Sequence, residues 1–220
     1  MVSLALTFTT EIELIMCTRF TPLSHTEAQS VLDSLYKTGS AHIRNQDSAG
    51  EAADAYPGTT VPLFVLGPDN KLFTQAARWG FESDHLGKLL FNTRIETACQ
   101  QYHSQRGMWA RAIRSGRCLI PARAFFERNA SDIAFSEKTG KPTKRLYRIS
   151  LVGTKAFLMA GIYDEGHFSL ITTEPNSIMT PIHNRMPLVL DAGESHIWLS
   201  DNFGSLADRS NVQLTAQPAD

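Results

Sequence analysis

The chain has 220 residues, 42% of them hydrophobic, and its 21 basic and 22 acidic side chains leave a net charge of −1. That is enough apolar material for one sizeable core, and it excludes attachment to nucleic acid or membrane through overall charge alone. Three cysteines without a CxxC pair, and no His/Cys group at zinc spacing, exclude a disulfide framework and a zinc finger and fit a reducing compartment.

Residues 1–15 carry Glu11 and Glu13 but no Lys or Arg, so the basic start of a signal peptide is missing. No stretch of about 18 consecutive apolar residues, the length of a membrane helix, occurs anywhere. The segment reads as an extra strand or as a leader absent from the working protein. Residues 24–38 predict a helix, with Ser24 or Thr26 as cap and Val31, Leu32, Leu35 and Tyr36 on one face. Residues 39–58, rich in Gly, Ser, Ala and Asp, read as a loop. Residues 61–66 and 71–81 predict two strands joined by the turn Gly67-Pro68-Asp69-Asn70.

A loop over 82–91 leads to a helix over roughly 95–106 and a second short one within 107–116. Residues 117–128 predict a strand interrupted at Pro121, and 131–144 a polar hairpin tip. Three strands follow, over 145–152, 156–165 and 167–175; after them come a loop over 176–185, a strand over 188–190 and a short helix over 194–201. The sum is an α+β fold with a dominant, mostly antiparallel, barrel-like sheet and a few peripheral helices. Charge is uneven along it. Residues 101–150 hold eleven basic side chains against three acidic ones, which allows a local basic face or simply a solvated surface.

Four positions carry possible chemistry. Were Cys17 the first residue, its α-amine (pKa about 7.7–8.0) and thiol (about 8.5) would sit on adjacent carbons. Such a pair condenses with an aldehyde to an imine and closes to a five-membered thiazolidine. An internal Cys17 has only an amide nitrogen, and the common fate of a cysteine is a small buried hydrophobe. Asn92, in Asn92-Thr93-Arg94-Ile95-Glu96-Thr97, is placed to orient a reactive group or to cap the following helix with Glu96 as partner. Arg94 suits bidentate phosphate contact. Glu127 follows two phenylalanines, an environment that raises a carboxyl pKa, or it alternates with Arg128 on a strand surface. His183 lies in a loop held between Pro181 and Pro187, either as a structural or as a reacting imidazole.

Together these segments form one pattern. Met16-Cys17-Thr18-Arg19-Phe20, Pro57-Gly58-Thr59, Trp79-Gly80, Asn92-Thr93-Arg94-Ile95-Glu96-Thr97, Arg117-Cys118-Leu119-Ile120-Pro121, Phe126-Glu127, Ala160-Gly161-Ile162-Tyr163 and Ile182-His183-Asn184-Arg185-Met186-Pro187 follow one another in that order. The set resembles the SRAP family, the SOS-response-associated peptidases or abasic-site processing proteins. The resemblance runs from residue 16 to about 200. It implies an SRAP-like barrel over 17–220, with residues 1–16 a leader or a mis-assigned start.

It further implies binding of single-stranded DNA and a covalent crosslink to the aldehyde of an abasic site, without metal or cofactor. Cys17 would be the nucleophile through amine and thiol, Asn92 would position its amine, Glu127 would shuttle protons and His183 would stabilise the sugar oxygen. Arg19, Arg94 and Arg185 would contact phosphate or hold structure, and Trp79 would stack on bases or pack in the core. A DNA-damage-response protein of the cytoplasm and nucleoid, monomeric and off the membrane, is the corresponding expectation. Two other readings stand beside it: a Cys–His peptidase or amidase using Cys17, which includes self-release of the residues ahead of it, and a non-catalytic single-stranded nucleic-acid binder. This chain departs from the family pattern at Thr18, at Ala53-Asp54-Ala55-Tyr56 and at Glu82-Ser83-Asp84-His85.

Overall fold

A computed structural model describes residues 17–38, 53–83, 87–191 and 193–219. The expected leader over residues 1–16 and most of the expected loop over 39–58 lie outside the described residues. The first elements are strand β1 (Arg19–Pro22), helix α1 (His25–Thr38), β2 (Thr60–Leu66) and β3 (Leu72–Trp79). Ser24 and Glu27 form a reciprocal capping box at α1, the Ser24 amide donating to the Glu27 carboxylate at 2.9 Å and the Glu27 amide to Ser24 Oγ at 3.3 Å. The β2–β3 turn closes with Asn70 at φ 58°, a left-handed conformation that asparagine tolerates.

The strand expected over 71–81 breaks at Gly80, whose φ of 111° turns the chain into β4 (Phe81–Ser83), paired with β5 (Lys88–Leu90). Next come β6 (Asn92–Arg94), α2 (Ile95–Ser104) and α3 (Ala110–Ser115). The possible cap at Asn92 or Thr93 is not used: Arg94 occupies the cap position without a side-chain bond, because residues 92–94 pair with a strand instead.

β7 (Arg117–Phe135) is continuous where an interruption at Pro121 is expected. Pro121 falls between the residues that pair with β2 (118–119) and those that pair with β1 (122–126), so its missing N–H is not required there. The expected polar tip over 131–144 is mostly strand as well, with the turn confined to 136–141 and a register shift between Arg128 and Ile133. β8 (Pro142–Leu151), β9 (Phe157–Asp164), β10 (His167–Thr173), β11 (Met186–Pro187) and β12 (Val189–Leu190) follow, then α4 (Ser195–Leu199), a 3-10 helix (Phe203–Leu206) and β13 (Leu214–Pro218). The last two have no counterpart in the sequence reading.

Strands β7, β9, β10, β3 and β2 pair in a closed ring, antiparallel except where β10 runs parallel to β3 and β6. Both faces are buried along β9, β10, the first half of β7 and the middle of β2, whereas β3 is half-exposed. Alternate residues Leu63 and Val65, Cys118 and Ile120, and Met159 point into the barrel with Phe20, Trp79, Phe125 and Phe168. Their neighbours Phe64, Leu119 and Leu158 pack outward against α1–α4 with Ile95, Ile113 and Trp198. The near-continuous apolar runs of these strands are the sequence record of two-sided burial.

Two polar side chains tie the outer layer to the sheet. Trp198 Nε1 donates to the Cys118 carbonyl at 2.9 Å, and buried Arg117 donates to the carbonyls of Ile113 and Leu199 while facing the Tyr102 and Phe203 rings. At Gly116 the chain passes β9 so closely that a Cβ would collide with the Tyr163 carbonyl, while the Tyr163 amide donates back to Gly116 O at 2.6 Å. Backbone cannot yield as a side chain does. Gly116→Ala is therefore expected to cost about 1–3 kcal/mol, read as a lowered urea midpoint at unchanged m-value.

Candidate active site

β1 lies antiparallel to β7, with Arg19 opposite Phe126, which brings the chain just ahead of β1 beside Glu127. There the Cys17 backbone nitrogen donates to Glu127 Oε1 at 2.6 Å. Asn92, at the start of β6, donates from Nδ2 to the Cys17 carbonyl at 3.3 Å. Both main-chain polar groups of Cys17 are thus held by side chains from distant parts of the sequence. Cys17 is fully buried, and its φ of 28° lies in the left-handed region that side-chain-bearing residues avoid, a conformation costing on the order of 1–3 kcal/mol.

The thiol is treated differently. Sγ donates to the Arg19 carbonyl at 3.9 Å, and burial, followed by the nearby Glu127 charge, pushes its pKa well above that of a free thiol. Glu127 is nearly buried, and desolvation pushes its carboxyl up to about 8, with the Cys17 N–H acting weakly the other way. At neutral pH it is mostly protonated.

His183 sits at the end of a tight turn whose amides fold back on Asn176 and Met179; its own amide donates to Met179 O at 2.8 Å. The buried neighbours Met179 and Ile182 belong to the same core cluster as Cys17. The Arg185 amide donates to His183 Nδ1 at 3.2 Å, which leaves the ring proton of the neutral form on Nε2. That buried Nε2 has no hydrogen-bond partner among the described residues. Burial, and then the positive charge of Lys144, hold the imidazole pKa below its usual value, so the ring is a neutral donor with an unspent N–H.

Three of the four residues marked by the sequence therefore meet, Glu127 and Asn92 both touching Cys17, while His183 lies on a turn whose Met179 and Ile182 pack in the same core cluster. The expected DNA contacts divide. Arg94 is exposed. Arg19 is engaged, its guanidinium bridging to Asp54 at 2.5 Å and lying over the Phe126 ring. Arg185 is largely buried in a two-pronged pair with Glu96 at 2.8 and 2.9 Å and also donates to Thr172 O. The expected stacking of Trp79 on bases is corrected: the ring is fully buried among Phe20, Phe91 and Phe168, and Nε1 donates to Phe91 O, so no face is left for a base.

Sequence reasoning missed Asp54, which accepts from Arg19 Nε at 2.7 Å and Thr21 Oγ1 at 2.6 Å, while the Phe20–Ala55 bridge pins the same strand. It sits in a stretch of small polar residues with no periodicity to single it out. The basic stretch over 101–150 also resolves into parts. Arg111 pairs with Asp164 and Glu165, Arg123 with buried Glu27, and Arg145 with Asp132. Among the described residues no His/Cys/Asp/Glu group is arranged to hold a metal ion, and no helix is long and apolar enough to cross a membrane.

Comparison with known proteins agrees with this arrangement of segments. The abasic site processing protein YoqW of Bacillus subtilis (strain 168) is 28% identical across 93% of this chain and 88% of its own length. The abasic site processing protein YoaM of the same organism is 31% identical across 56% of this chain and 55% of its own. Among solved structures, a phage-related protein from Bordetella bronchiseptica superposes with a TM-score of 0.66 at 20% identity, covering 92% of this chain and 94% of that one. A protein from Bacteroides thetaiotaomicron gives 0.60 at 21% identity, over 92% and 91%. These two share the fold. The family model described as SOS response associated peptidase (SRAP) matches residues 16–220, and the chain belongs to that family.

Proposed function

We propose that this protein processes abasic sites in DNA by forming a covalent thiazolidine with the lesion, through a Cys17 made N-terminal by removal of the residues ahead of it. One observation carries the reading. The site grips the nitrogen of Cys17, not its sulfur: a carboxyl that is mostly protonated at neutral pH lies 2.6 Å from that atom. Relatives named as abasic site processing proteins support the substrate.

The steps balance as a condensation. The Cys17 amine adds to the C1′ aldehyde of the ring-opened sugar, giving a carbinolamine. Glu127 gives its proton to the hydroxyl, which leaves as water, and an imine remains. The Cys17 thiol then adds to the imine carbon. Its proton passes through Glu127 to the nitrogen, closing the ring with loss of one water overall. Asn92 keeps Cys17 in place through its carbonyl, and the unspent Nε2–H of His183 donates to the sugar oxygen as the ring opens. Exposed Arg94 is the arginine best placed to take phosphate, whereas Arg19 and Arg185 act chiefly by holding the site together.

The same contact supports self-release. In the uncleaved chain the Cys17 nitrogen is the leaving group of the preceding peptide bond, and protonated Glu127 is positioned to supply the proton it needs when water adds to the carbonyl. Release would also relieve the left-handed strain at Cys17. A Cys–His dyad is less well supported, since the thiol bonds to Arg19 O and is held protonated.

The test is incubation of protein beginning at Cys17 with single-stranded DNA carrying one abasic site. A heat-stable adduct with the summed mass of both molecules less one water is expected. Its absence, with DNA binding intact, would overturn the crosslinking reading.

A further inference from the structure

Among the described residues no strand lies beside the β7–β8 hairpin beyond residues 128 and 146: β1 pairs with β7 up to Phe126, and β13 pairs with β8 from Tyr147 onward. An isolated two-stranded arm is marginal in water, and exposed arms are usually polar. This one exposes Phe135 at 70% and Ile133 at 50%, the former the most exposed of the large hydrophobic side chains among the described residues. Pairing of Ile133 with Lys144 and of Phe135 with Pro142 places these four on one face.

The arm is basic as well. Arg128, Lys138, Lys141, Lys144 and Arg145 stand against Asp132 and Glu137, and Asp132 is occupied on the opposite face by Arg145 and Tyr147. An exposed ring beside the ammonium groups of Lys138, Lys141 and Lys144 suits a chain of phosphates carrying flat bases. The arm also leads to the candidate site. Glu127 is on the same strand, and Lys144 is near enough for its charge to act on His183.

We propose that the outer face of the β7–β8 arm is an accessory single-stranded DNA surface, where a base from the strand flanking the lesion stacks on Phe135 and Lys138, Lys141 and Lys144 take phosphates. The choice of DNA as occupant rests on the function proposed above; the surface itself rests on exposure and charge. From Tyr147, opposite Glu127, to Pro142, opposite Phe135, is five residues of β8. At about 3.3 Å per residue this is roughly 17 Å, the length of about five stacked nucleotides. Because Glu127 and Tyr147 lie on the other face of the hairpin, this is the shortest path, and the flank that matters extends at least about five nucleotides from the lesion on one side.

The experiment measures binding of the full chain to intact single-stranded oligonucleotides by fluorescence anisotropy over a salt series. Separately, abasic oligonucleotides are lengthened stepwise on either side. Phe135→Ala should weaken binding about 5- to 100-fold, and the double variant Lys138→Glu/Lys141→Glu should flatten the slope of log K against log salt by at least about 1.4. Affinity should rise when one flank, and not the other, passes about five nucleotides. Unchanged affinity and slope in both variants, with wild-type circular dichroism and melting, overturn the proposal. So does a wild-type dimer in sedimentation velocity that Phe135→Ala dissociates without affecting DNA binding, since the occupant would then be a second copy. The two readings fail separately. Variant-sensitive binding without any adduct removes the crosslinking reaction and keeps the surface, whereas adduct formation with variant-insensitive binding does the reverse.

Discussion

A protein that retains a single residue ahead of Cys17 is expected to give no heat-stable adduct with abasic DNA, while the same chain beginning at Cys17 gives one. The loss is complete because of the nitrogen. In an amide its lone pair is delocalised into the carbonyl and does not add to an aldehyde. The thiol survives in the extended protein, but a thiol alone gives a hemithioacetal that reverts on heating, and burial and the Glu127 charge keep this one protonated. Cys17→Ser in the chain beginning at residue 17 separates the two groups. It retains the amine, so an imine should be trapped by borohydride, yet without reductant no heat-stable product should accumulate. An extended protein that crosslinks as well as the Cys17-starting form, with the mass of the adduct showing the extra residue retained, would place the chemistry on the sulfur and sink the amine mechanism.

Much of the fold and site was legible in the sequence, for identifiable reasons. Where burial is one-sided, period carries the information: α1 falls where Val31, Leu32 and Leu35 recur and Ser24 and Glu27 stand three apart. Where both faces are buried, as in β9, the apolar run still marks a strand. Pro121 misled because a proline breaks a strand only where its N–H is required, and the change of partner from β2 to β1 is a tertiary fact. The set Cys17, Asn92, Glu127 and His183 emerged through the order of motifs, since no pair of them is close in sequence. Trp79 shows the limit. A tryptophan beside a glycine reads equally as a core residue or as an exposed stacking platform, and only the packing of Phe20 and Phe168 against it decides. Asp54 gave no signal, because its meaning lies in Arg19 and Thr21, more than thirty residues away.

Glu127→Gln should slow adduct formation about 10²- to 10⁴-fold, the range for removing a placed general acid–base group. The pH profile identifies the cause. In the Cys17-starting protein the rate should rise as the amine loses its proton and fall as the amine–carboxyl pair loses its second, the two apparent values belonging to the pair and not to either group. Glu127→Gln should keep the rising limb and lose the falling one; a bell retained in that variant would assign the acid to another residue. Stability gives an independent reading in protein whose Cys17 nitrogen is still an amide. There the folded-state pKa of Glu127 is raised from 4.5 to about 8 by desolvation. A carboxyl with a raised folded value binds more protons folded than unfolded between those limits. Stability is therefore highest below about 4.5 as far as this group is concerned, falls as pH rises through the window and is flat above about 8. The loss should approach several kcal/mol, at about 1.36 kcal/mol per pKa unit, and should be absent in Glu127→Gln, which keeps the shape and discards the charge. Urea midpoints at pH 5 and pH 8 measure it. Exposing the Cys17 amine should shrink the same pH dependence, because an ammonium group 2.6 Å from the carboxylate compensates the buried charge. On the proposed mechanism the residue that powers the condensation is thus one that the uncleaved chain accommodates at a cost, and release of the segment ahead of Cys17 would relieve that cost while creating the nucleophile.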